Sequence, residues 1–209
     1  MPDNDLTVFV VDDDAAIRAS VSRALRRRGY VVETYDSAGN FLAAYEAGRP
    51  GCLILDQGMP GMTGLELQEH LHQAGHALPI IFITGHGGVP ESVQAIKRGA
   101  VDFLEKPFRQ TVLVERIEAA FEMSRQRVRS DRRSRDLRQR FERLTAREQQ
   151  VVQLMLADPS AVSSKEIGRR LEISPRTVDH HRARILEKLE LSSVIELIDL
   201  ARRAELEQI

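Results

Sequence analysis

Four short apolar segments of this chain each end in a residue whose side chain can bind a metal or take part in catalysis. These residues are Asp12 and Asp13 after residues 6–11, Asp56 after residues 52–55, Thr84 after residues 80–83, and Lys106 after residues 101–105. If the segments are neighbouring parallel strands, their carboxyl ends meet at one edge of a sheet, where α/β proteins bind ligands. Residues far apart in the sequence are therefore expected to form one site.

The residue types at these strand ends suit phosphoryl chemistry. Asp12, Asp13 and Asp56 offer the carboxylate oxygens that Mg²⁺ prefers as ligands. Lys106 can neutralise a phosphoryl oxygen, and the Thr84 hydroxyl can donate a hydrogen bond to it. Asp56 is the candidate nucleophile, because a carboxylate can form an acyl phosphate.

The elements that must position these residues alternate between strand and helix over residues 1–124. We predict strands over residues 6–11, 30–35, 52–55, 80–83 and 101–104, and helices over residues 14–28, 38–47, 64–74, 90–98 and from 109 onward. This succession indicates βαβ units and a parallel sheet. Gly29, Gly75 and Gly99 are predicted to end three of the helices.

The two parts of the chain differ in the sign of their charge, although the net charge is only −1. Residues 1–124 contain 11 basic and 17 acidic residues, a net charge of −6, whereas residues 125–209 contain 19 and 14, a net charge of +5. An acidic module followed by a basic one favours a polyanionic partner, such as nucleic acid, for the second module.

The single cysteine, Cys52, excludes an internal disulfide and is typical of a protein in a reducing compartment. The beginning of the sequence lacks the pattern of a signal peptide, and no apolar run reaches the length of a membrane span. We therefore expect a cytoplasmic protein that does not contact the membrane.

The alternation of strand and helix stops at residues 125–143, a charged and arginine-rich stretch. We predict that this stretch is an exposed helical linker. It would join a domain of residues 1–124 to a domain of residues 144–209. Because its apolar residues are few, an exposed linker, which could pair with a second copy as a loose coiled coil, is favoured over a core element. In the second domain we predict helices over residues 145–157, 164–171, 175–189 and 193–204. A short helix, a tight turn at Glu172 and Ile173, and a helix capped by Ser174 are typical of a helix-turn-helix.

The helix over residues 175–189 can be oriented from its apolar residues. Val178, Ile185 and Leu189 define the buried side. The candidate DNA contacts are then Arg176, Asp179, His180, Ala183 and Arg184 for bases, and Lys165, Thr177, Arg182 and Lys188 for phosphates. The alternative is that these residues form only the polar face of a helical bundle.

Over essentially its whole length, the chain resembles two-domain response regulators of the FixJ/NarL type. Its first module resembles their receiver domain. This resemblance is carried by Asp12 and Asp13, Asp56 followed by Met59, Pro60 and Gly61, Thr84 followed by Gly85, Phe103, and Lys106 before Pro107. The resemblance implies a flavodoxin-like, doubly wound sheet of five parallel strands in the order 2-1-3-4-5.

The resemblance also implies a role for each receiver residue. Asp56 would be the phosphoacceptor, and Thr84 and Phe103 would switch their packing when it is phosphorylated. The ligands of Mg²⁺ would be Asp13 and Asp56, Asp12 through water, and the backbone carbonyl of Gly58. The Lys106–Pro107 peptide would be cis, and the face at residues 90–103 would form a homodimer.

The second module resembles the four-helix, LuxR-type DNA-binding domain. The matching residues are Leu144, Thr145, Arg147, Glu148, Lys165, Glu166, Ile167, those at 174–178 and those at 181–183. Four features of the chain depart from the family pattern. Gly58 stands where the family often has a bulkier or charged residue, and Gly88 replaces a commonly acidic one. The loop over residues 158–163 is longer than usual, and His180 replaces a small aliphatic residue. His86, two residues after Thr84, is a further candidate for influencing the phosphoryl site.

The function favoured by these observations is a DNA-binding transcription regulator of a two-component system. A sensor histidine kinase would phosphorylate Asp56, the receiver would dimerise, and the paired basic domains would bind a two-fold related site on double-stranded DNA. Two alternatives remain open: a DNA-binding regulator independent of phosphorylation, and an Mg²⁺-dependent phosphohydrolase or phosphate sink. We do not expect the chain to be an enzyme in the usual sense.

Overall fold

The computed structural model describes residues 6–85, 95–157 and 163–203. By its internal contacts the chain divides into residues 1–128 and residues 129–209. The predicted helix over residues 90–98 falls partly outside the described residues, and residues 95–97 are helical. The predictions for His86, for Gly88 and for most of the loop over residues 158–163 also lie outside the described residues.

The first unit contains a five-stranded parallel sheet in the order β2-β1-β3-β4-β5, which confirms the predicted fold. Its strands are β1 (Thr7–Val11), β2 (Val31–Tyr35), β3 (Gly51–Asp56), β4 (Ile80–Thr84) and β5 (Asp102–Glu105). The helices described in this unit are α1 (Ala15–Arg26), α2 (Ala38–Ala44), α3 (Gly64–Gln73) and the first part of α4 (Gln110–Glu142). β1 pairs with both β2 and β3, so it lies inside the sheet.

The sheet is covered on both faces, as strands made of consecutive apolar residues require. Val8 and Val10 of β1 face one core, which also contains Leu25 of α1 and Ile117 of α4. Phe9 and Val11 face the other core, which contains side chains of α2 and α3. The alternation of side chains along a strand sends successive residues into opposite cores.

Local capping fixes where the first-unit helices begin and end. The Asp14 side chain accepts hydrogen bonds from the amides of Ala16 and Ile17 at the start of α1. Thr63 and Glu66 form a capping box at the start of α3. The three predicted helix-ending glycines have φ angles of +90°, +72° and +88°, in the left-handed region that glycine favours.

The second unit is helical. It contains the end of α4, α5 (Ala146–Ala157), α6 (Ser164–Leu171), α7 (Pro175–Leu189) and α8 (Val194–Arg203). The predicted helix-turn-helix is confirmed, because α6 and α7 have the predicted bounds and Ser174 accepts from the Thr177 amide as the N-cap of α7.

The prediction of an exposed linker over residues 125–143 is wrong for its carboxyl-terminal part. Leu137 and Phe141 are each 6% exposed and lie in one core with Val178 and Ile185 of α7. The sequence suggested exposure because the apolar residues are few, but two of them one turn apart on α4 face the same core. The last turns of α4 are therefore a core element of the second unit.

Within the described residues, every helix is too short or too polar to cross a membrane.

Candidate functional site

The order of the strands brings the predicted catalytic residues to one edge of the sheet. β3 lies between β1 and β4, and β4 pairs with β5. Asp12 directly follows β1, Asp56 and Thr84 are the last residues of β3 and β4, and Lys106 directly follows β5. These residues line a crevice at the carboxyl ends of the strands.

Lys106 joins two carboxylates in this crevice. Its Nζ atom is 2.8 Å from Oδ2 of Asp12 and 2.8 Å from Oδ1 of Asp56. Burial lowers the pKa of the Lys106 ammonium group, but the hydrogen bonds to the two carboxylates together raise it by more. The net shift of this pKa is therefore upward. The lysine therefore remains a cation beside Asp56.

Asp12 is fully buried, and its hydrogen bonds fix the segment that leads into α1. Its Oδ1 atom accepts from the Asp14 amide at 2.8 Å, and its backbone carbonyl accepts from Arg18 at 2.6 Å. Burial raises the pKa of the Asp12 carboxyl group, while the hydrogen bonds from Lys106 and Asp14 act in the opposite direction. A buried carboxylate of this kind is stabilised by cations.

The three acidic residues form a group that fits a divalent metal ion. Carboxylate oxygens of Asp12, Asp13 and Asp56 all lie within 4.8 Å of one another. Asp13 is exposed, so one side of the group opens to solvent. Oxygen donors and room for retained water are what Mg²⁺ requires. The residues present therefore fit the ion that their chemistry predicts.

Gly58 contacts Asp56 through its backbone. The Gly58 amide donates to Oδ2 of Asp56 at 3.0 Å, so each oxygen of the Asp56 carboxylate has one donor, an ammonium or an amide. Asp56 itself is only 6% exposed. The predicted ligand role of the Gly58 carbonyl stays a prediction.

The two predicted switch residues lie on neighbouring strands. Thr84 is buried at the end of β4. Phe103 of β5 is half-buried, and its ring centroid is 6.2 Å from that of Phe82 on β4. The Lys106–Pro107 peptide is cis, as the resemblance implies.

Gly64 is needed at this site, and the sequence reasoning did not single it out. A Cβ atom on Gly64 would lie 2.4 Å from the Asp56 carbonyl oxygen and 3.0 Å from the Phe82 ring. The start of α3 is therefore packed directly against the segment that carries Asp56. A glycine at the first position of a predicted helix was the only signal for it in the sequence.

The second candidate site is the outer face of α7. Val178, Ile185 and Leu189 are fully buried, which confirms the predicted orientation of the helix. The predicted contacts on its opposite side are exposed, namely Arg176, Thr177, Asp179, His180, Ala183 and Arg184. Lys165 is exposed on α6 and lines the same surface pocket as Ser174 and Pro175 at the start of α7.

Several of the predicted DNA contacts also hold the helices together. The Ser164 hydroxyl of α6 donates to Oδ1 of Asp179 at 2.5 Å and accepts from Arg182 at 3.0 Å. Nζ of Lys188 is 2.6 Å from Oε2 of Glu148, which is buried on α5. Asp179, Arg182 and Lys188 therefore have structural partners within the domain.

The remaining outward residues of α7 have fewer constraints. Within the part of the chain that the structure describes, the side chains of Arg176, His180 and Arg184 make no hydrogen bond or ion pair. Because these residues are four positions apart, they lie in a line along the exposed face. Their side chains can turn toward a ligand without breaking a hydrogen bond or ion pair to the described residues.

The turn between α6 and α7 depends on close backbone contact. A Cβ atom on Gly168 would lie 2.7 Å from the carbonyl oxygen of Ile173. The Ile173 amide donates to the Gly168 carbonyl at 2.9 Å, and Glu172 closes α6 with a left-handed φ of 56°. Gly168 thus fixes the angle at which α7 is presented.

Comparisons with known proteins find a matching family for each part of the chain. A family model for the response regulator receiver domain matches residues 8–118, and one for bacterial regulatory proteins of the luxR family matches residues 142–201. The first match includes the whole crevice, and the second includes α5, α6 and α7.

Relatives match over nearly the whole chain. It is 39% identical over 203 residues to the response regulator protein TodT of Pseudomonas putida, with 97% of this chain and 88% of TodT covered. It is 40% identical over 197 residues to the transcriptional regulatory protein FixJ of Bradyrhizobium diazoefficiens, with 94% and 95% covered.

Two solved structures extend this likeness to the fold of both modules. The response regulator StyR has a TM-score of 0.78 and 41% identity, with 95% of this chain and 99% of StyR covered. Full-length FixJ from B. japonicum has a TM-score of 0.56 and 38% identity, with 96% and 97% covered.

Proposed function

This chain belongs to the response regulators that join a receiver domain to a LuxR-type DNA-binding domain, and we propose that phosphorylation of Asp56 by a sensor histidine kinase controls its binding to DNA. The observation that carries the proposal is the setting of the Asp56 carboxylate. Lys106 and the Gly58 amide bind its two oxygens, and Asp12 and Asp13 lie beside it.

The transfer step follows from this setting. One Asp56 oxygen attacks the phosphorus of a phosphohistidine on the kinase, the new O–P bond forms, and the P–N bond breaks with the electron pair leaving on the imidazole. Lys106 stabilises the negative charge that collects on the phosphoryl oxygens. Asp12, Asp13, Asp56 and the Gly58 carbonyl would hold Mg²⁺, which supplies further charge neutralisation when bound.

Phosphorylation would then change the packing of the two switch residues. Thr84 would donate its hydroxyl hydrogen to a phosphoryl oxygen, and Phe103 would fill the space that Thr84 leaves. Both residues lie on strands whose carboxyl ends meet at the crevice, so the change would begin next to Asp56. Two copies of the chain would then pair through the face at residues 90–103 to form a homodimer.

A dimer would present two copies of α7 to a two-fold related site on double-stranded DNA. Arg176, His180, Ala183 and Arg184 would face the bases, with Asp179 at their flank. The phosphate contacts would come from Lys165, Thr177, Arg182 and Lys188, the last two in addition to their internal bonds. A protein that binds DNA shares its compartment, so we expect this regulator in the bacterial cytoplasm. We also expect its activity to be regulation rather than turnover of a substrate.

The proposal is tested with beryllofluoride, which mimics a phosphoryl group on aspartate. Light scattering measures the mass of the wild-type protein and of Asp56→Asn, each with Mg²⁺ alone and with Mg²⁺ plus beryllofluoride. Binding to a randomised pool of DNA duplexes is measured in the same four samples. We expect a dimer and tighter DNA binding only for the wild type with beryllofluoride.

The matched variant separates the possible failures. A dimer in all four samples would support a regulator that does not depend on phosphorylation. Inorganic phosphate released steadily from acetyl phosphate by the wild type, without a change of mass or DNA binding, would support a phosphohydrolase or phosphate sink. Either result would overturn the proposed switch.

A further inference from the structure

The carboxyl-terminal half of α4 carries an excess of positive charge that the proposed function does not use. Residues 125–143 contain nine arginines and three acidic residues, a net charge of +6. Basic residues on a surface helix usually alternate with acidic ones, which pair with them at a spacing of three or four positions. Here the arginines outnumber their possible partners by three to one.

Part of this charge is concentrated on one side of the helix. Arg129, Arg132, Arg133, Asp136 and Arg140 are spaced by three or four residues, so they form a single line, here called the arginine stripe. With a rise of about 1.5 Å per residue, the stripe extends about 16 Å along α4. Asp136 does not neutralise the stripe as a whole, because Arg140 already pairs with it at 3.2 Å.

Three members of the stripe are available for a ligand. Arg129, Arg132 and Arg133 are exposed. None of them has a hydrogen bond or ion pair from its side chain to another residue of the described ranges. Like charges at this spacing repel each other and disfavour the free helix, so an anionic partner would relieve a cost that the isolated domain bears.

The stripe belongs to the same body as the DNA-reading helix. Leu137 and Phe141, on the neighbouring side of α4, share a core with Val178 and Ile185 of α7. Arg140 also lies 3.9 Å from Glu190, the residue that ends α7. The arginines of α4 therefore keep a fixed position relative to α7.

We propose that the arginine stripe binds phosphates of the same DNA duplex, outside the bases that α7 contacts. Double-stranded DNA presents one negative charge per about 1.7 Å of its axis, so a stripe of this length faces several phosphates. Arginine suits this role because its guanidinium group binds phosphate through two N–H donors. The stripe contributes affinity that does not depend on sequence. The inference rests on the proposed function, because it requires that α7 binds DNA.

The experiment uses the full chain and two variants with equal changes of charge. The first combines Arg129→Gln, Arg132→Gln and Arg133→Gln. The second, a control, replaces three exposed arginines at the end of α1, namely Arg23→Gln, Arg27→Gln and Arg28→Gln. Arginine and glutamine have similar helix propensities, so both variants are expected to fold. The probe is the duplex that the wild type enriches most strongly from a randomised pool.

The measurement is the slope of log affinity against log salt concentration. We expect the slope of the stripe variant to be smaller than that of the wild type by about two to three for each bound protomer, because each lost phosphate contact removes about one. The affinity of the stripe variant in 0.1 M salt should fall at least tenfold. Its preferred sequence should not change, and the control should keep the wild-type slope.

Three results would overturn the inference while leaving the proposed function intact. The stripe variant could keep the wild-type slope, the control could lose as much slope as the stripe variant, or the stripe variant could dimerise differently in light scattering without DNA. The last result would make the stripe an interface between copies of the chain. If the wild type enriched no duplex at all, the proposed function would fail together with the inference.

Discussion

The crevice and the outer face of α7 both depend on charged groups, but they hold those groups in opposite ways. In the crevice, Lys106 is bonded to two buried carboxylates, and both oxygens of Asp56 have a donor. On α7, Arg176 and His180 are exposed and have no internal hydrogen bond within the described residues. The crevice is built as part of the core of the first unit, whereas the outer face of α7, here called the proposed reading face, lies on the surface of the second unit.

This difference separates positions where a substitution changes folding from positions where it changes recognition. A group that is buried and hydrogen-bonded costs free energy when its partner is removed, because it cannot recover its bonds to water. An exposed group without a partner leaves the free energy of unfolding almost unchanged when it is replaced. We therefore expect the effect of a substitution on stability to decrease from the first kind of position to the second.

The largest loss of stability is expected for Gly64→Ala. The added methyl group would lie 2.4 Å from the Asp56 carbonyl oxygen, so α3 has to move away from the crevice. We expect the free energy of unfolding of the receiver domain to fall by about 3 kcal/mol. Urea denaturation, followed by circular dichroism, measures it.

Gly58→Ala is the matched control, because its methyl group would meet only Oδ2 of Asp56, at 3.9 Å. We expect this variant to unfold within about 0.5 kcal/mol of the wild type. Equal stabilities for the two variants would contradict the view that the start of α3 is packed rigidly against Asp56.

A smaller loss is expected for Lys188→Met, which tests whether this residue belongs to the core or to the reading face. Its ammonium group lies 2.6 Å from the carboxylate of Glu148, which is only 4% exposed. Removing the cation leaves a buried charge without its partner, so we expect the DNA-binding domain to lose about 2 kcal/mol. Thermal unfolding measures the loss. An unchanged melting temperature would mean that Lys188 does not stabilise the domain and belongs only to the reading face.

The same ion pair predicts a dependence of stability on pH. Burial raises the pKa of Glu148, but the hydrogen bonds from Lys188 and Thr145 together lower it by more. The net result is a pKa below the ordinary value of 4.5. A lowered pKa in the folded state stabilises the protein above the unfolded value of 4.5, and this stabilisation is lost as the pH falls through the folded pKa.

Glu148→Gln removes this group from the titration. As the pH falls below the unfolded value of 4.5, we expect the wild type to lose more stability than this variant. The quantity compared is the change with pH, since the variant also differs from the wild type at neutral pH. Parallel curves would mean that the pair does not couple to proton binding.

The smallest effect on stability is expected for His180→Val, which should alter recognition alone. An imidazole N–H can donate to the guanine N7 or O6 atom in the major groove, and valine cannot. We expect the unfolding free energy to stay within about 0.5 kcal/mol of the wild type, while the sequences selected from a random pool lose guanine at one position of each half-site. His181→Val serves as a control, and the same change in both variants would contradict a specific role for His180.

The crevice could be predicted because one rule places all of its members. Asp12, Asp56 and Lys106 each follow an apolar strand, and parallel strands bring their carboxyl ends together. The hydrogen bonds of Lys106 to both carboxylates connect residues 94 and 50 positions apart, as this rule requires. The order of the strands came from the resemblance, since the spacing of the segments does not determine it.

The internal partners of the reading face could not be predicted in this way. The contacts of Lys188 with Glu148 and of Ser164 with Asp179 depend on how helices cross, and helix crossing angles are not written in the periodicity of either helix. The burial of Leu137 and Phe141 was missed for a related reason. A helix with few apolar residues still joins a core when those few face a partner, and the partner is visible only in three dimensions.

The unconstrained residues of α7 also bear on how regulators of this kind diversify after gene duplication. Because the side chains of Arg176, His180 and Arg184 make no hydrogen bond or ion pair within the described residues, a duplicated copy can acquire new target genes through a few codon changes without passing through unstable intermediates. The crevice cannot diverge with the same freedom, so sister proteins retain the same phosphorylation chemistry. Insulation between their signalling pathways then has to evolve on surfaces away from Asp56.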